Sequence, residues 1–286
     1  MSGTAGGRLF VVATPIGNLG DVTLRALEVL RSVPLIAAED TRLSRRLLAK
    51  HEIETRTISY HARSGPGRLA ELLSHLRSGL DLALVTDAGT PAVSDPGLVL
   101  AAAWAGEGGV VVPVPGPSAV LAALVASGVA GPRWSFEGFL PRSGRERRER
   151  LARLASDERT TVIFEAPGRV AATLRDLADV CGAARPAAVC RELTKLHEEV
   201  VRGSLGELAK RAGSGELTLR GEFAIVVGDA TAGPRSPEEA AAEGVATALA
   251  EVERRIASGS SRSDAARQVA AETGIPRRRL YVPPDR

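Results

Sequence analysis

RLFVVATPIGNL, residues 8–19, is the stretch from which the fold is read. Arg8–Ala13 reads as a buried strand, apolar without a break from Leu9 on, the pattern of a strand covered on both faces. It passes into Ala13-Thr14-Pro15-Ile16-Gly17-Asn18-Leu19, a loop built on proline and glycine. A helical pattern follows, with Asp21 placed to cap it and Leu24, Leu27 and Leu30 at helical spacing as far as Ser32. Strand, tight loop and helix form one half of a βαβ unit.

The same order repeats outward from there. Leu35–Ala38, Arg56–Tyr60, Leu82–Thr86 and Val110–Val114 read as strands, alternating with helices near Leu43–Lys50, Arg68–Ser78 and Gly97–Ala105. This alternation predicts a mostly parallel sheet with helices on both faces. Gly131-Pro132 punctuates the chain, and a second α/β set follows. Its strands are expected at Trp134–Phe139, Thr161–Phe164, Ala187–Cys190 and Phe223–Val227, and its helices at Arg145–Ala155, Val170–Val180 and Leu205–Ala212. Gly233-Pro234 opens a helical tail. There Ser236 is placed to cap a helix reaching about Ile256, and shorter helices at Ser263–Glu272 and Pro276–Tyr281 resemble a helix-turn-helix. The expected domains are residues 1–129, 130–232 and 233–286.

Composition narrows the function classes. No stretch of the 286 residues approaches the roughly 20 apolar residues of a membrane span. Two cysteines, Cys181 and Cys190, fit neither a zinc nor a redox spacing, and a reducing cytoplasm is the inference. The net charge is only +3, but it is unevenly spread. Arg142–Arg153 holds six arginines against two glutamates, and Arg254–Tyr281 seven against two acids. Both runs are candidate phosphate-facing patches, beside the plainer reading of a solvated helix face; Arg42, Arg45 and Arg46 would hold phosphate, with the first run, including Arg142 and Arg145, and the tail extending that surface.

Three glycine- and proline-rich loops follow strands: the one at Pro15, Thr86-Asp87-Ala88-Gly89-Thr90-Pro91 with its continuation to Gly97, and Pro113-Val114-Pro115-Gly116-Pro117-Ser118-Ala119. Ligands of open α/β sheets bind beyond the carboxyl ends of the strands, so all three belong to one ligand-binding edge. Glycine lets backbone approach a ligand, whereas proline removes N–H donors. Such loops suit a folded organic ligand better than a phosphate chain, which needs many free amides. Neither G-x-G-x-x-G nor G-x-x-x-x-G-K-[ST] occurs, which argues against an NAD enzyme and a P-loop NTPase. No His/Cys cluster has metal-ligand spacing, so no metal is expected.

VATPIGNLGDVTLRA, AAEDTR, LVTDAGTPAVSDPG, VPGPSAVLAALVASG, FEGFLPR, FEAPGRV and RELTKLHEEV occur in that order. Together they resemble the ribosomal RNA small subunit methyltransferase I family of the tetrapyrrole methylase superfamily. The likeness covers about residues 8–230. It implies two α/β domains with S-adenosylmethionine between them, a homodimer, and 2′-O-methylation of a cytidine in the decoding region of 16S rRNA in the small ribosomal subunit. It further implies that Pro15, Asp87, Ala88, Gly89, Ser118 and Ala119 line the cofactor, with Phe164 and Leu193 as walls around its adenine. Two positions depart from the pattern. Tyr60-His61-Ala62-Arg63 lacks the acidic and amide residues usual after Tyr-His, and Gly168 stands where a histidine is usual.

A ribose 2′-hydroxyl is a weak nucleophile, and a base within hydrogen-bond reach would assist it. Asp40, Glu165 and Lys195 are the candidates. For Asp40 the competing roles are a helix cap and an ion pair with Arg42, and Lys195 would need a depressed pKa. Aromatics make up 3% of the chain, so stacking platforms for RNA are few: Tyr60, His61 and Phe139. Two other readings stand beside the first. A tetrapyrrole C-methyltransferase would need a macrocycle cleft and an S-x-G-D-P second loop. A non-catalytic RNA-binding assembly factor would bind no S-adenosylmethionine.

Overall fold

The structure, a computed structural model, describes residues 6–91, 97–229, 237–258 and 260–280. The chain divides into two compact units, Met1–Thr231 and Ala232–Arg286.

The first unit opens with β1 (Leu9–Val12), α1 (Leu24–Ser32), β2 (Leu35–Ala38), α2 (Thr41–Lys50), β3 (Thr57–Ser59), α3 (Pro66–Arg77), β4 (Leu82–Val85), α4 (Gly97–Gly106), β5 (Val111–Val114) and α5 (Ala119–Ser127). Its sheet has the order β3-β2-β4-β1-β5 and is parallel throughout. Every residue of β2 and β4 is buried, which is why these strands read as continuous apolar runs. One face packs Val12, Ile36 and Ala38 against Leu27, Leu30 and Leu47 of α1 and α2. The other packs Leu9, Ala37 and Leu82 against Leu72, Leu76 and Leu100 of α3 and α4. Because β2, β4, β1 and β5 are neighbours running the same way, the turns that follow them emerge side by side.

Two local expectations at α1 are corrected. Thr23, not Asp21, caps the helix, its side chain accepting from the Ala26 N–H at 3.1 Å. Asp21 instead ends a single 3-10 turn, Leu19–Asp21. Leu24 is 79% exposed, since starting the helix at Leu24 leaves the core stripe to Ala26, Leu27 and Leu30.

The unit continues with β6 (Trp134–Phe139), α6 (Gly144–Ser156), β7 (Thr160–Glu165), α7 (Val170–Cys181), β8 (Pro186–Arg191), β9 (Glu199–Ser204), α8 (Leu205–Ser214) and β10 (Phe223–Val227). The second sheet has the order β6-β7-β10-β8-β9, with β6 and β7 parallel and the other neighbours antiparallel. Helices α6, α7 and α8 cover one face. The other face is covered by α5, whose Val120, Ala123 and Leu124 pack on Val162, Cys190, Ala224 and Val226. A helix that closes the first sheet's chain run thus serves as core for the second. Burying each Val or Leu there stabilises the join by about 1.5–3 kcal/mol.

The arginine run of α6 is not the uniform cationic face expected from its sequence. Arg147 is buried, and its guanidinium donates to Asp176 Oδ2 (2.6 Å), Thr173 Oγ1 (3.0 Å) and Pro141 O (2.9 Å). Arg150 pairs with Glu137 at 2.7 Å and Arg145 with Glu149 at 2.5 Å. Arg142, Arg148 and Arg153 are the exposed remainder. A guanidinium directed inward needs a carboxylate and carbonyls to replace water, and α7 and the turn after β6 supply them.

The second unit comprises α9 (Pro237–Ala257), α10 (Arg262–Thr273) and α11 (Arg277–Leu280) around Ala248, Val252, Ala265, Ala266, Val269 and Leu280. Ser261 caps α10 by accepting from the Asp264 N–H, and Gly274 ends it in the left-handed region. Arg255 ties α9 to α10, pairing with Glu251 and Glu272, both at 2.8 Å. Arg254, Arg262 and Arg267 also have acidic partners, so much of this unit's basic surplus is internally neutralised. Ser236 and Tyr281, expected at the ends of this helical set, lie outside the described residues. No helix among the described residues is long and apolar enough to cross a membrane.

Candidate active site

The three loops named from the sequence meet. After β1, Thr14 and Gly89 exchange backbone hydrogen bonds of 2.9 and 3.0 Å, and the buried Thr14 hydroxyl donates to Thr86 O at 3.1 Å. Loop two is fastened to loop three where Thr90 Oγ1 donates to Pro117 O at 3.2 Å. Loop three returns to loop one through Gly116, which lies against the Ala13 side chain. Residues 92–96, the rest of loop two, lie outside the described residues.

From the second sheet, the turn after β8 closes on this cluster. A Cβ at Gly17 would lie 2.4 Å from Lys195 Cγ and 3.1 Å from Leu193 O, so only glycine permits the approach. The turn is held in an uncommon conformation: Glu192 and Thr194 have φ of 50° and 67°. Non-glycine residues in this region carry strain, sustained here by surrounding bonds. Lys195 Nζ lies 2.8 Å from Glu192 Oε1 and 3.1 Å from Glu222 Oε2, and Glu198 accepts from the Thr194 N–H at 2.6 Å.

Between these walls is a cavity of about 330 Å³. Ile16, Ala88 and Ala119 line it from the first sheet's loops, and Phe139, Phe164, Glu165, Leu193, Phe223 and Ala224 from the second half. Its size is in the range of small-ligand sites, and its wall is mostly apolar with a few polar groups, the usual makeup of such sites.

The expected site residues separate into groups. Ala88, Ala119, Phe164, Glu165 and Leu193 line the cavity. Pro15 and Asp87 face a narrower gap of about 50 Å³ beneath α2, beside Leu43 and Ser44. Gly89 serves the loop-to-loop bridge. Ser118 is the N-cap of α5 and makes no side-chain cap bond, leaving the helix's first amides without a side-chain acceptor. Ile16 belongs to the Pro15 loop, whose residues are expected at the ligand, whereas Glu222, Phe223 and Ala224 were not singled out in the sequence. These three start β10 or precede it, and the signal that could have marked them is Gly221 just before, which has φ of 89° and also lines the cavity.

The three candidate bases are differently held. Asp40 caps α2, accepting from the Arg42 N–H at 2.8 Å, and pairs with the Arg42 side chain at 2.7 Å. Hydrogen bonds from that side chain and backbone hold its carboxyl at about 2, so it is ionised but a weak proton acceptor. For Lys195, burial pulls the ammonium pKa down, but the bonds to Glu192 and Glu222 outweigh it and leave it raised. The depressed value a neutral lysine base requires is therefore not what this setting produces. Glu165 is buried in the cavity wall with both oxygens engaged. Oε1 accepts from the Ala166 N–H at 2.8 Å and lies 3.3 Å from Arg169 Nε, and Oε2 accepts from Thr173 Oγ1 at 2.6 Å. Asp87 is pushed up chiefly by burial and further by Glu39 and Asp40 nearby. Of the arginines, Arg42, Arg45 and Arg46 are exposed on α2, Arg42 already paired with Asp40.

Residues 8–209 match the family model described as Tetrapyrrole (Corrin/Porphyrin) Methylases. A ribosomal RNA small subunit methyltransferase I of Synechocystis is 48% identical over 276 residues, covering 96% of each chain. The chain belongs to this family. Its members of the same name from Mycobacterium bovis and Bacillus subtilis are 45% and 40% identical, each over 96% of this chain and 93% of theirs. Among solved structures, a cobalt precorrin-4 methyltransferase superimposes with a TM-score of 0.59 at 20% identity, over 77% of this chain and 94% of its own. A Thermus thermophilus uroporphyrin-III C-methyltransferase complexed with S-adenosylhomocysteine gives 0.58 at 21%, over 79% and 99%. These two establish the tetrapyrrole methylase fold, and the family membership of the chain makes it a methyltransferase.

Proposed function

We propose that the chain transfers a methyl group from S-adenosylmethionine to the 2′-hydroxyl of a cytidine in the decoding region of 16S rRNA, within the small ribosomal subunit. The observation that carries the reading is the cavity where the strand-end loops of one sheet meet Phe164 and Leu193 of the other, in a chain whose full-length relatives bear that enzyme's name.

The residues present fit the donor. Phe164, Leu193 and Ala224 offer an apolar wall of the kind an adenine ring requires, and the uncapped amides at the start of α5 suit a carboxylate. Glu165 and Glu222 are the acidic residues of the wall, each already paired, with Arg169 and Lys195 respectively. When bound, the donor supplies a methyl group already activated for in-line displacement. The chain's contribution is then chiefly to hold the acceptor hydroxyl in line and exclude water, and positioning of this kind accounts for a large part of such a barrier. Lys195, fixed between Glu192 and Glu222, holds the Leu193 turn against Gly17 and so keeps the wall in place.

We further infer a homodimer in the cytoplasm, on the family resemblance; light scattering at twice the monomer mass is the expected outcome. The activity test supplies the protein with labelled S-adenosylmethionine and either unmethylated small ribosomal subunits or uroporphyrinogen III. Label on one cytidine ribose, located by mass mapping, is expected. Label in the tetrapyrrole instead would overturn the reading. A protein that takes up no S-adenosylmethionine in calorimetry would point to the assembly-factor alternative.

A further inference from the structure

We propose that Phe139 is the stacking platform for an unpaired base of the RNA substrate, set at the cavity mouth by a β-bulge. The proposal deepens the RNA reading above and rests on it.

Of the chain's five phenylalanines, Phe139, Phe164 and Phe223 line the cavity, and Phe136 packs behind Phe164. The Phe136 and Phe164 rings meet edge to face at 4.8 Å between centroids, and Phe164 meets Phe139 likewise at 5.8 Å. Phe136 and Phe139 are three residues apart on one strand. Regular alternation would direct them to opposite faces. The register breaks between them: Phe136 pairs with Val162, Gly138 with Ile163 and Phe139 with Phe164, leaving Glu137 as the extra residue. Gly138 has φ of 66°, a conformation open to glycine at little cost. The bulge therefore brings Phe139 round to the face of Phe164, the re-aiming that bulges perform next to active sites.

The re-aimed segment is held on both sides. Glu137 is pinned by Arg150 at 2.7 Å. Beyond Phe139, the carbonyls of Leu140 and Pro141 accept from Arg169 at 2.8 and 3.2 Å, and Pro141 O also accepts from Arg147 at 2.9 Å. Arg169 is in turn paired with Glu165, and Arg147 with Asp176. All this order supports a ring that is 57% exposed, while Phe164 and Phe223 behind it supply the inner wall. An exposed ring fixed at the mouth faces the side from which a substrate too large to enter must approach. Every base offers a π-face to such a ring, and the exposed Arg142 three residues on is placed for the backbone phosphates.

The test compares wild type with F139A, F139L and F139W in two measurements: S-adenosylhomocysteine affinity by calorimetry, and KM for unmethylated small ribosomal subunits. F139A and F139L are expected to raise KM about tenfold, the loss of one stacked base, and to lower S-adenosylhomocysteine affinity far less, because Phe139 only rims the cavity while Phe164 and Phe223 form its inner wall. F139W, which restores a π-face, is expected to recover the wild-type KM. Equal loss of S-adenosylhomocysteine affinity would make Phe139 a donor wall and overturn the proposal. So would an unchanged KM in F139A, or full recovery by F139L, which keeps apolar bulk without a ring. Wild-type protein that binds S-adenosylhomocysteine yet leaves subunits unmethylated would overturn the RNA reading itself, and that is seen before any variant is compared.

Discussion

Asp40 is held as a structural anchor beside the ligand-binding edge. Its carboxylate is engaged twice by Arg42, and its own N–H donates to Asp87 Oδ1 at 2.8 Å, so it joins the second strand's turn to loop two. Asparagine would keep an oxygen for the Arg42 N–H. D40N is therefore expected to retain single-turnover methylation within a few-fold, measured with labelled donor; a fall of the order of 10²–10⁴ is what loss of a base would give. Glu165 and Lys195 are likewise engaged by neighbours, and Lys195 could not have been read this way from sequence. Its partner Glu192 is three residues back, but Glu222 comes from just ahead of β10, the strand paired with β8.

At the level of elements, the strands that bear the loops were legible because burial on both faces leaves an unmistakable apolar run, as in Leu82–Val85. The strands Trp134–Phe139 and Phe223–Val227 stand where the sequence pattern put them. Helix α5 was not legible. AVLAALVAS is apolar all round because one side meets the second sheet while Leu121 and Val125 stay exposed, and no periodicity survives to mark a helix. The strand Glu199–Ser204 was missed for the opposite reason: it is an edge strand without a fully buried residue. Nor does sequence show which glycine is spatially indispensable. Gly17 is, because the Leu193–Lys195 turn occupies the space of its missing side chain. G17A is expected to force that turn off the loop and weaken S-adenosylhomocysteine binding by tenfold or more in calorimetry. The second sheet's own packing does not depend on it, so a far-ultraviolet circular dichroism spectrum like the wild type's is expected.

On the scale of the whole molecule, the cationic surface is smaller than the count of arginines suggests. Formal charge can be summed from the sequence, but ion pairing is a property of the fold: Arg147 and Arg150 are committed to Asp176 and Glu137, and Arg255 to two glutamates. Arg45 and Arg46 remain exposed on α2. Replacing both with alanine is expected to reduce the slope of log affinity for ribosomal subunits against log salt by about 0.7 to 0.9 for each phosphate that is no longer neutralised. R147A is expected to leave that slope alone and lower the unfolding midpoint in urea, through a loss of about 1–3 kcal/mol from an unsatisfied buried network. The cavity itself has a temporal consequence. Its walls run from Ile16 to Ala224, so nearly all of the first unit must leave the ribosome during synthesis before a donor can be gripped. If the donor sits there as proposed, a nascent or prematurely terminated chain has half a cradle, and binding of the donor would report that both sheets have come together.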